Sequence, residues 1–483
     1  MKLIDLLNGV DVKTWACEPD REIRDLCYDS RKVQPGDVFV AIRGYQTDGH
    51  KYIDQAVEKG AVAVVCETPP SGAIPHVQVA DSRRALAQMS NHYFGHPAES
   101  MTMVGVTGTN GKTTTTFLIR SVLEQVTGKK VGLMGTNVNI VGDREFPAQR
   151  TTPESYEVFQ LLAQMREAGC AYAVMEVSSH SLELDRVYGI EFDAAVFTNL
   201  SRDHLDFHQT MERYQAAKAK LFRMARWGLV NLDDPAGKTM MEQGTCTFQT
   251  YSAKDDNADL VAKNINLKPD RVEFEAVGKG IIHRISLGIP GMFSVYNALA
   301  ATSCCMALGL ALPEIAAALK NAHGVKGRAE VVPVPADFTV LIDYAHSPDG
   351  MENILKAVKG FAKGRVVALF GCGGDRDRTK RPIMGEVAAR LADFCIVTSD
   401  NPRSEDPRAI IEEILPGMKR SKTPIAVIDD RRAAIVYALE NARPGDVVVL
   451  MGKGHETYQE IQGVKHHLDE REEVANYFAK QEG

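Results

Sequence analysis

The stretch GVTGTNGKTTTTF, running from Gly105 to Phe117, joins an apolar run to a glycine turn, a lysine and four threonines. A strand, a glycine turn and a helix in that order is the setting in which backbone N–H groups and a helix N-terminus receive a phosphate. In that reading Gly108, Thr109, Asn110 and Gly111 form the cradle, with Thr114 in the first helical turn. Lys112 reaches the terminal phosphates and Thr113 offers its hydroxyl to Mg²⁺. The motif departs from a regular Walker A, because Val106 stands six residues before Lys112 where a glycine would be. Gly108 and Gly111 therefore predict a tighter loop, and the expected cofactors are ATP and Mg²⁺.

Further stretches gather around the same phosphate. MEVSSHSLELDRV follows a strand-like run and offers Glu176, Ser178 and Arg186; NLSRDHLDFHQTMERY offers His204; YQAAKAKLF offers Lys218. Each alone has a plainer reading, Glu176 as a cap, His204 as a satisfied loop histidine and Lys218 as a solvated helix lysine. Together, a carboxylate, an imidazole and a lysine after successive strands suit the metal-binding side of a phosphoryl-transfer site, where charge neutralisation does most of the catalysis.

The elements that must position these residues read as an α/β protein. At 483 residues the chain exceeds one ordinary core and suggests about three domains. A hydrophobic share of 44%, a charged share of 25% and a net charge of -7 fit a globular protein with no basic surface for nucleic acid. Asp5 and Asp11 interrupt what a signal peptide would need as an apolar stretch. The run NALAATSCCMALGLAL, Asn297 to Leu312, is too short for a bilayer and predicts a buried helix, so no membrane insertion is expected. The 9 cysteines include no C-x-x-C pair, which points to a reducing, cytoplasmic compartment.

Short apolar runs, DVFVAI and AVAVVC, flank the helical YIDQAVEKG in residues 1–98, which end at a Gly/Pro break. Over 99–329 apolar strands alternate with helical patterns, the mark of a largely parallel sheet with crossover helices. The pattern restarts in 330–483 with TVLIDYAHSP, RVVALFGCGGD, FCIVTSDNPR, IAVIDD and DVVVLMGKGHE. Each of those runs ends in a polar or glycine-rich cluster, and open parallel sheets bind ligands outside the carboxyl ends of their strands. Asp343, His346, Arg376, Arg403, Lys453 and Glu456 lie in those clusters.

The ordered set GVTGTNGKTTT, MEVSSH, NLSRDHLDFH, YNALAA, GRAE and DYAHSPDG resembles the motifs of the Mur ligases, ATP-dependent amide-forming enzymes of peptidoglycan precursor synthesis. The resemblance spans essentially the whole chain. It implies an N-terminal domain for the uridine end of the substrate, a central P-loop ATPase domain and a C-terminal Rossmann-like domain. YDSRKVQPGDVFVAIRGYQTDGHKYI, DNPRSEDP and GKGHE look like the members that add the third peptide residue. Those members join meso-diaminopimelate to UDP-N-acetylmuramoyl-L-alanyl-D-glutamate through an acyl phosphate, and the chain is expected to act as a monomer.

The site roles follow from that resemblance residue by residue. Thr113, Glu176 and His204 match the magnesium positions, and Lys218 matches the lysine carbamylated in this family. A carbamate turns a cation that would repel magnesium into an oxygen ligand, which a hard cation prefers. Asn297, Arg328, Asp343 and His346 match nucleotide positions. Ser30, Gln46, Thr47, Thr151, Thr152, Ser178 and Arg186 match contacts to the UDP-sugar dipeptide, with Leu184 where some relatives carry a polar residue. Arg376, Asp400, Asn401, Pro402, Arg403, Gly452 and Glu456 match the diaminopimelate pocket. There Arg403 would grip the distal carboxylate bidentately and Glu456 would take the distal ammonium. Another Mur ligase or a folylpolyglutamate synthetase would share the ATP motifs but lack DSRKV and DNPR. A nucleotide switch would hydrolyse ATP with no need of a carboxylate and an amine.

Overall fold

The computed structural model describes residues 1–44, 47–278, 280–322 and 324–481; Gln46, expected at the UDP-substrate, lies outside them. The chain is an α/β protein of three domains built on large, mostly parallel sheets. It forms two compact units, Met1–Asp259 with Ala300–Ala311, and Leu260–Leu299 with Leu312–Gly483.

The first unit begins with strands β1 (Val12–Ala16), β2 (Leu26–Cys27), β3 (Val38–Val40), β4 (Ala63–Cys66) and β5 (His76–Val79), ordered β1-β5-β4-β3-β2. β2 to β5 run parallel and β1 antiparallel. β3 and β4 are buried along their whole length, which is why DVFVAI and AVAVVC read as continuous apolar runs rather than alternating ones.

The central sheet takes β6 (Thr102–Thr107), β7 (Val131–Met134), β8 (Val138–Val141), β9 (Arg144–Pro147), β10 (Tyr172–Glu176), β11 (Phe192–Phe197), β12 (Ala225–Asn231) and β13 (Thr247–Ser252). Its parallel core runs β13-β12-β11-β6-β10-β7. β6 lies between β10 and β11, so the glycine loop, Glu176 and the segment after Phe197 emerge side by side at the carboxyl edge. The helix Lys112–Thr127 starts directly after Gly111 (φ 84°) and stops at Gly128 (φ 67°). Both conformations suit glycine.

In the second unit β14 (Leu260–Leu267), β15 (Val272–Gly278) and β16 (Ile281–Leu287) form an antiparallel meander. The C-terminal sheet combines β17 (Glu330–Val332), β18 (Thr339–Asp343), β19 (Val366–Phe370), β20 (Phe394–Val397), β21 (Ile425–Val427) and β22 (Val447–Met451) in the order β17-β18-β22-β19-β20-β21. All neighbours are parallel except β17 with β18. A hairpin, β23 (Tyr458–Ile461) with β24 (Val464–His467), follows.

The parallel strands and crossover helices match the sequence pattern, and the helix Met292–Ala307 is buried at Ala298, Leu299, Ala300, Ala301, Cys304 and Cys305. The antiparallel additions β8–β9, β14–β16 and β23–β24 were not legible. β9 and β24 are exposed at every position and so carry no apolar signal. All nine cysteines are free thiols. Among the described residues no helix is long and apolar enough to cross a membrane.

Candidate active site

The phosphate loop is shaped by its neighbours rather than by its own turn alone. Gly108 has φ 148°, and a Cβ there would lie 1.9 Å from Thr198 Oγ1, so the position excludes side chains. Thr109 N donates to Asn199 O (2.8 Å), Asn110 N to Asn199 Oδ1 (2.9 Å), and Thr198 Oγ1 to Asn110 O (2.7 Å). Lys112 folds back so that Nζ donates to Gly108 O (3.0 Å) and Thr109 O (2.9 Å). Thr113 and Thr114 are buried at the helix start. The loop is tight, as Gly108 and Gly111 lead one to expect.

Lys218 is not a solvated helix lysine. It is 1% exposed, donates from Nζ to Gly108 O (2.8 Å), and stands 4.5 Å above the Tyr214 ring. Burial first, and then the neighbouring Lys112 charge, hold its amine well below the ordinary lysine value, with Asp203 opposing. Tyr214 is buried, and its hydroxyl is 3.0 Å from Thr109 Oγ1, which links the lysine's shelf to the loop. His204 sits in the left-handed region (φ 52°) with its ring 4.8 Å from that of His180. Burial lowers the His204 value against the pull of Asp203.

Glu176, at the end of β10, accepts from Thr136 N at Oε1 and from Thr136 Oγ1 at Oε2, both at 2.9 Å. It is therefore held as an oriented carboxylate rather than used as a helix cap. Thr136 Oγ1 also reaches Thr151 Oγ1 (3.0 Å), Thr152 Oγ1 donates to Glu176 O (2.8 Å), and Ser178 N donates to Thr152 Oγ1 (3.1 Å). Arg186 Nη1 donates to Thr152 O (3.2 Å), and its Nε is 3.3 Å from Glu154 Oε2. Thr151, Thr152, Glu176, Ser178 and Arg186 thus form one connected cluster. Ser30 donates instead to Gln55 Oε1 (2.8 Å), and Thr47 Oγ1 lies 3.3 Å from the Tyr52 hydroxyl. Neither joins that cluster through a bond among the described residues. A cavity of about 450 Å³ opens nearby, lined by Arg43, Gly44, Glu183, Leu184, Phe207, His208, Arg213 and Lys220 among others.

In the second unit Asp343 ties two of the motifs together, accepting from Ala329 N and Ala345 N, both at 2.8 Å. Burial pushes its carboxyl up, with Arg328 opposing. The Arg328 guanidinium lies 5.3 Å from the Tyr344 ring centre, and its buried Nε has no hydrogen-bond partner among the described residues. His346 Nδ1 is 2.8 Å from Tyr344 O. Asn297 is buried in its helix, 5% exposed.

The polar ends of β19, β20 and β22 converge within the same unit. Gly452 has φ 112°, and a Cβ there would fall 2.4 Å from Asp400 Oδ2. Asn401 Nδ2 donates to Glu456 Oε2 (2.8 Å). Burial would raise the Asp400 carboxyl, but Lys453, Arg431 and the Asn401 N–H outweigh it and leave the group below its ordinary value. Arg403 (φ 52°) is clasped through its backbone: its N–H donates to Glu460 O (3.0 Å), and Gln462 N donates to its carbonyl (2.7 Å). Its side chain donates from Nη1 to Gly374 O (2.7 Å), with Nε 3.5 Å from Glu460 Oε2. Pro402 O sits so close to Gly374 that a Cβ there would be 1.9 Å away. Arg376 is exposed, and among the described residues its Nη1 donates to Asp375 O (3.2 Å).

Several supporting residues escaped the sequence reading. Thr136 and Tyr214 carried no motif signal of their own. Arg431, 0% exposed, donates to Ser399 O (3.1 Å), Met451 O (2.8 Å) and Glu470 Oε1 (2.9 Å), fastening the ends of β20 and β22. In DDRRAAIV it looks like a surface arginine. The β23 edge that clasps Arg403 was equally invisible.

The family model for the Mur ligase middle domain matches residues 106–305, that for the Mur ligase glutamate ligase domain matches 327–454, and that for the Mur ligase family catalytic domain matches 22–94. A relative from Caldanaerobacter subterraneus subsp. tengcongensis, named UDP-N-acetylmuramoyl-L-alanyl-D-glutamate–2,6-diaminopimelate ligase, is 48% identical over 100% of both chains. The chain belongs to the Mur ligase family. A Clostridium botulinum Mur ligase of the same name is 46% identical over 95% of each chain. Among solved structures, a ligase of that name superposes with TM-score 0.75 at 32% identity, covering 100% of this chain and 99% of the other. A MurF ligase from Thermotoga maritima in complex with ADP shares the Mur ligase fold at TM-score 0.62 and 22% identity, over 96% and 99% of the two chains.

Proposed function

We propose that this Mur ligase joins meso-diaminopimelate to UDP-N-acetylmuramoyl-L-alanyl-D-glutamate at the expense of ATP, acting as a monomer in the cytoplasm in peptidoglycan precursor synthesis. The observation that carries the reading is the convergence of Asp400, Asn401, Arg403, Gly452 and Glu456 at the carboxyl ends of the C-terminal strands. A guanidinium and a carboxylate in one cluster suit a zwitterionic amino-acid head. Residues 1–98, 99–329 and 330–483 are proposed as the domains for the uridine end, the nucleotide and the incoming amino acid.

The substrate carboxylate must attack an anionic γ-phosphate, so the chain's task in the first step is to align both groups and supply fixed positive charge. Lys112 would leave the loop carbonyls for the phosphates, which the N–H groups at the helix start, Gly111 to Thr114, would receive, since those of Thr109 and Asn110 are held by Asn199. Asn297, Arg328, Asp343 and His346 are proposed as further nucleotide contacts. Ser30, Gln46, Thr47, Thr151, Thr152, Ser178 and Arg186 would hold the UDP-sugar dipeptide, with Arg186 facing its carboxylate. In the second step the amine of diaminopimelate attacks the acyl phosphate, phosphate leaves, and the amide forms. Arg376 and Arg403 would take the distal carboxylate, Glu456 the distal ammonium, and Asp400, Asn401, Pro402 and Gly452 would shape the pocket.

Thr113, Glu176 and a carbamylated Lys218 fit as magnesium ligands, since a hydroxyl, an oriented carboxylate and a carbamate oxygen are hard donors, and the borderline His204 imidazole would complete the set. The buried amine, shifted toward its neutral form, is the nucleophile that CO₂ requires. Bound magnesium would supply positive charge against the phosphates. The test is the product: mass spectrometry should find the UDP-sugar dipeptide heavier by one diaminopimelate less one water, with ADP and phosphate formed in equal amounts. Phosphate release without that amide would refute the reading.

A further inference from the structure

Lys453 is 0% exposed, yet the reaction as described gives it no part. Its Nζ donates to Asn401 Oδ1 (3.0 Å) and Glu456 Oε2 (3.1 Å), and it stands 5.6 Å from the Tyr458 ring centre. A buried ammonium is retained only where its partners offset the loss of hydration. Here both partners belong to the acceptor cluster.

The bonds around Asn401 run in one sense only. Its Oδ1 accepts from Lys453 Nζ and from Glu460 N (2.9 Å), while its Nδ2 donates to Glu456 Oε2 (2.8 Å). Turning the amide over would set an NH₂ group against two donors and an oxygen against a carboxylate. Lys453 and the β23 backbone therefore dictate which end of Asn401 meets Glu456. Both bonds described at the Glu456 carboxylate fall on Oε2, which leaves Oε1 for an incoming ammonium.

We infer that Lys453 is a positioning residue for the acceptor amino acid, acting through Asn401 and Glu456 to present one oriented carboxylate oxygen to the ammonium of the acceptor's distal head. The inference rests on the acceptor-pocket reading above and adds to it a residue that does not itself touch substrate.

The experiment measures apparent KM for meso-diaminopimelate, ATP and the UDP-sugar dipeptide in the full chain carrying Lys453→Met, Glu456→Gln or both. Lys453→Met should raise the diaminopimelate KM by about tenfold or more, with the other two KM values changed by less than about twofold. In the Glu456→Gln background the same substitution should add less than about threefold, because the residue it acts through is already disabled. An equal effect in both backgrounds, or a parallel rise in all three KM values, overturns the inference. If Lys453→Met alone does not fold, Glu456→Gln with and without Lys453→Met decides: equal diaminopimelate KM supports the inference and a further tenfold loss overturns it. Wild-type protein run alongside separates the two claims, since a wrong acceptor reading shows as no diaminopimelate dependence in the wild type itself.

Discussion

Replacing Arg403 with alanine should damage acceptor binding selectively. The backbone of Arg403 is held by Glu460 O and Gln462 N, so truncating the side chain leaves the β23 clasp in place. What disappears is a guanidinium that is 23% exposed and spends one donor on Gly374 O. Two charge-assisted bonds to the distal carboxylate at about 1.5 kcal/mol each amount to about 3 kcal/mol, or about 150-fold in apparent KM for meso-diaminopimelate. L-Lysine lacks that carboxylate, so its weaker use as an acceptor should hardly change, and the preference between the two amino acids should collapse. Arg403→Lys keeps a charge but not the planar fork, and should recover only part of the loss. The assay is initial-rate phosphate release at saturating ATP and UDP-sugar dipeptide, titrating each acceptor. An unchanged diaminopimelate KM, or an equal rise for lysine, would refute the reasoning.

Other outcomes follow from the same geometry. Lys218→Ala should lose most activity and regain part of it with added short carboxylates such as acetate, which can occupy the place of the carbamate; full unaided activity would contradict the carbamate. Gly108→Ala would drive a Cβ to 1.9 Å from Thr198 Oγ1, so titration with a fluorescent ATP analogue should show binding weakened at least about tenfold. Glu405, held down to about 2 by hydrogen bonds from Arg381 and then from Asp375 N, lies below its unfolded value near ~4.3. Its stabilisation is therefore complete above that value and lost as pH falls toward 2. Thermal melts should accordingly show Glu405→Gln lowering Tm more at pH 6 than at pH 2, and an equal loss at both would sink the assignment.

Much of this architecture was readable because parallel strands buried on both faces write themselves as apolar runs, as β3, β4, β19 and β22 do. The strand, glycine turn and helix around Gly108, Gly111 and Lys112 were readable because those residues have few other reasons to occur together after an apolar run. The exposed strands β9 and β24 were not, since pairing at a sheet edge asks little of side-chain type. Supporting residues such as Arg431, Tyr214 and Thr136 stayed hidden for a related reason. Their hydrogen-bond partners lie far away in sequence, Ser399 and Met451 carbonyls for Arg431, the Thr109 hydroxyl for Tyr214 and the Glu176 carboxylate for Thr136, and no local spacing encodes them. Lys453 was visible as part of a polar cluster, but only its bonds to Asn401 and Glu456 reveal what it does there.

The most direct test of the central claim is ATP-dependent phosphate release in the presence of UDP-N-acetylmuramoyl-L-alanyl-D-glutamate, comparing meso-diaminopimelate with L-lysine at equal concentrations. Release should require both the nucleotide sugar and an amine, with diaminopimelate strongly preferred. A preference for lysine would contradict the pocket built on Arg403 and Glu456, and release indifferent to either amine would contradict the ligase itself.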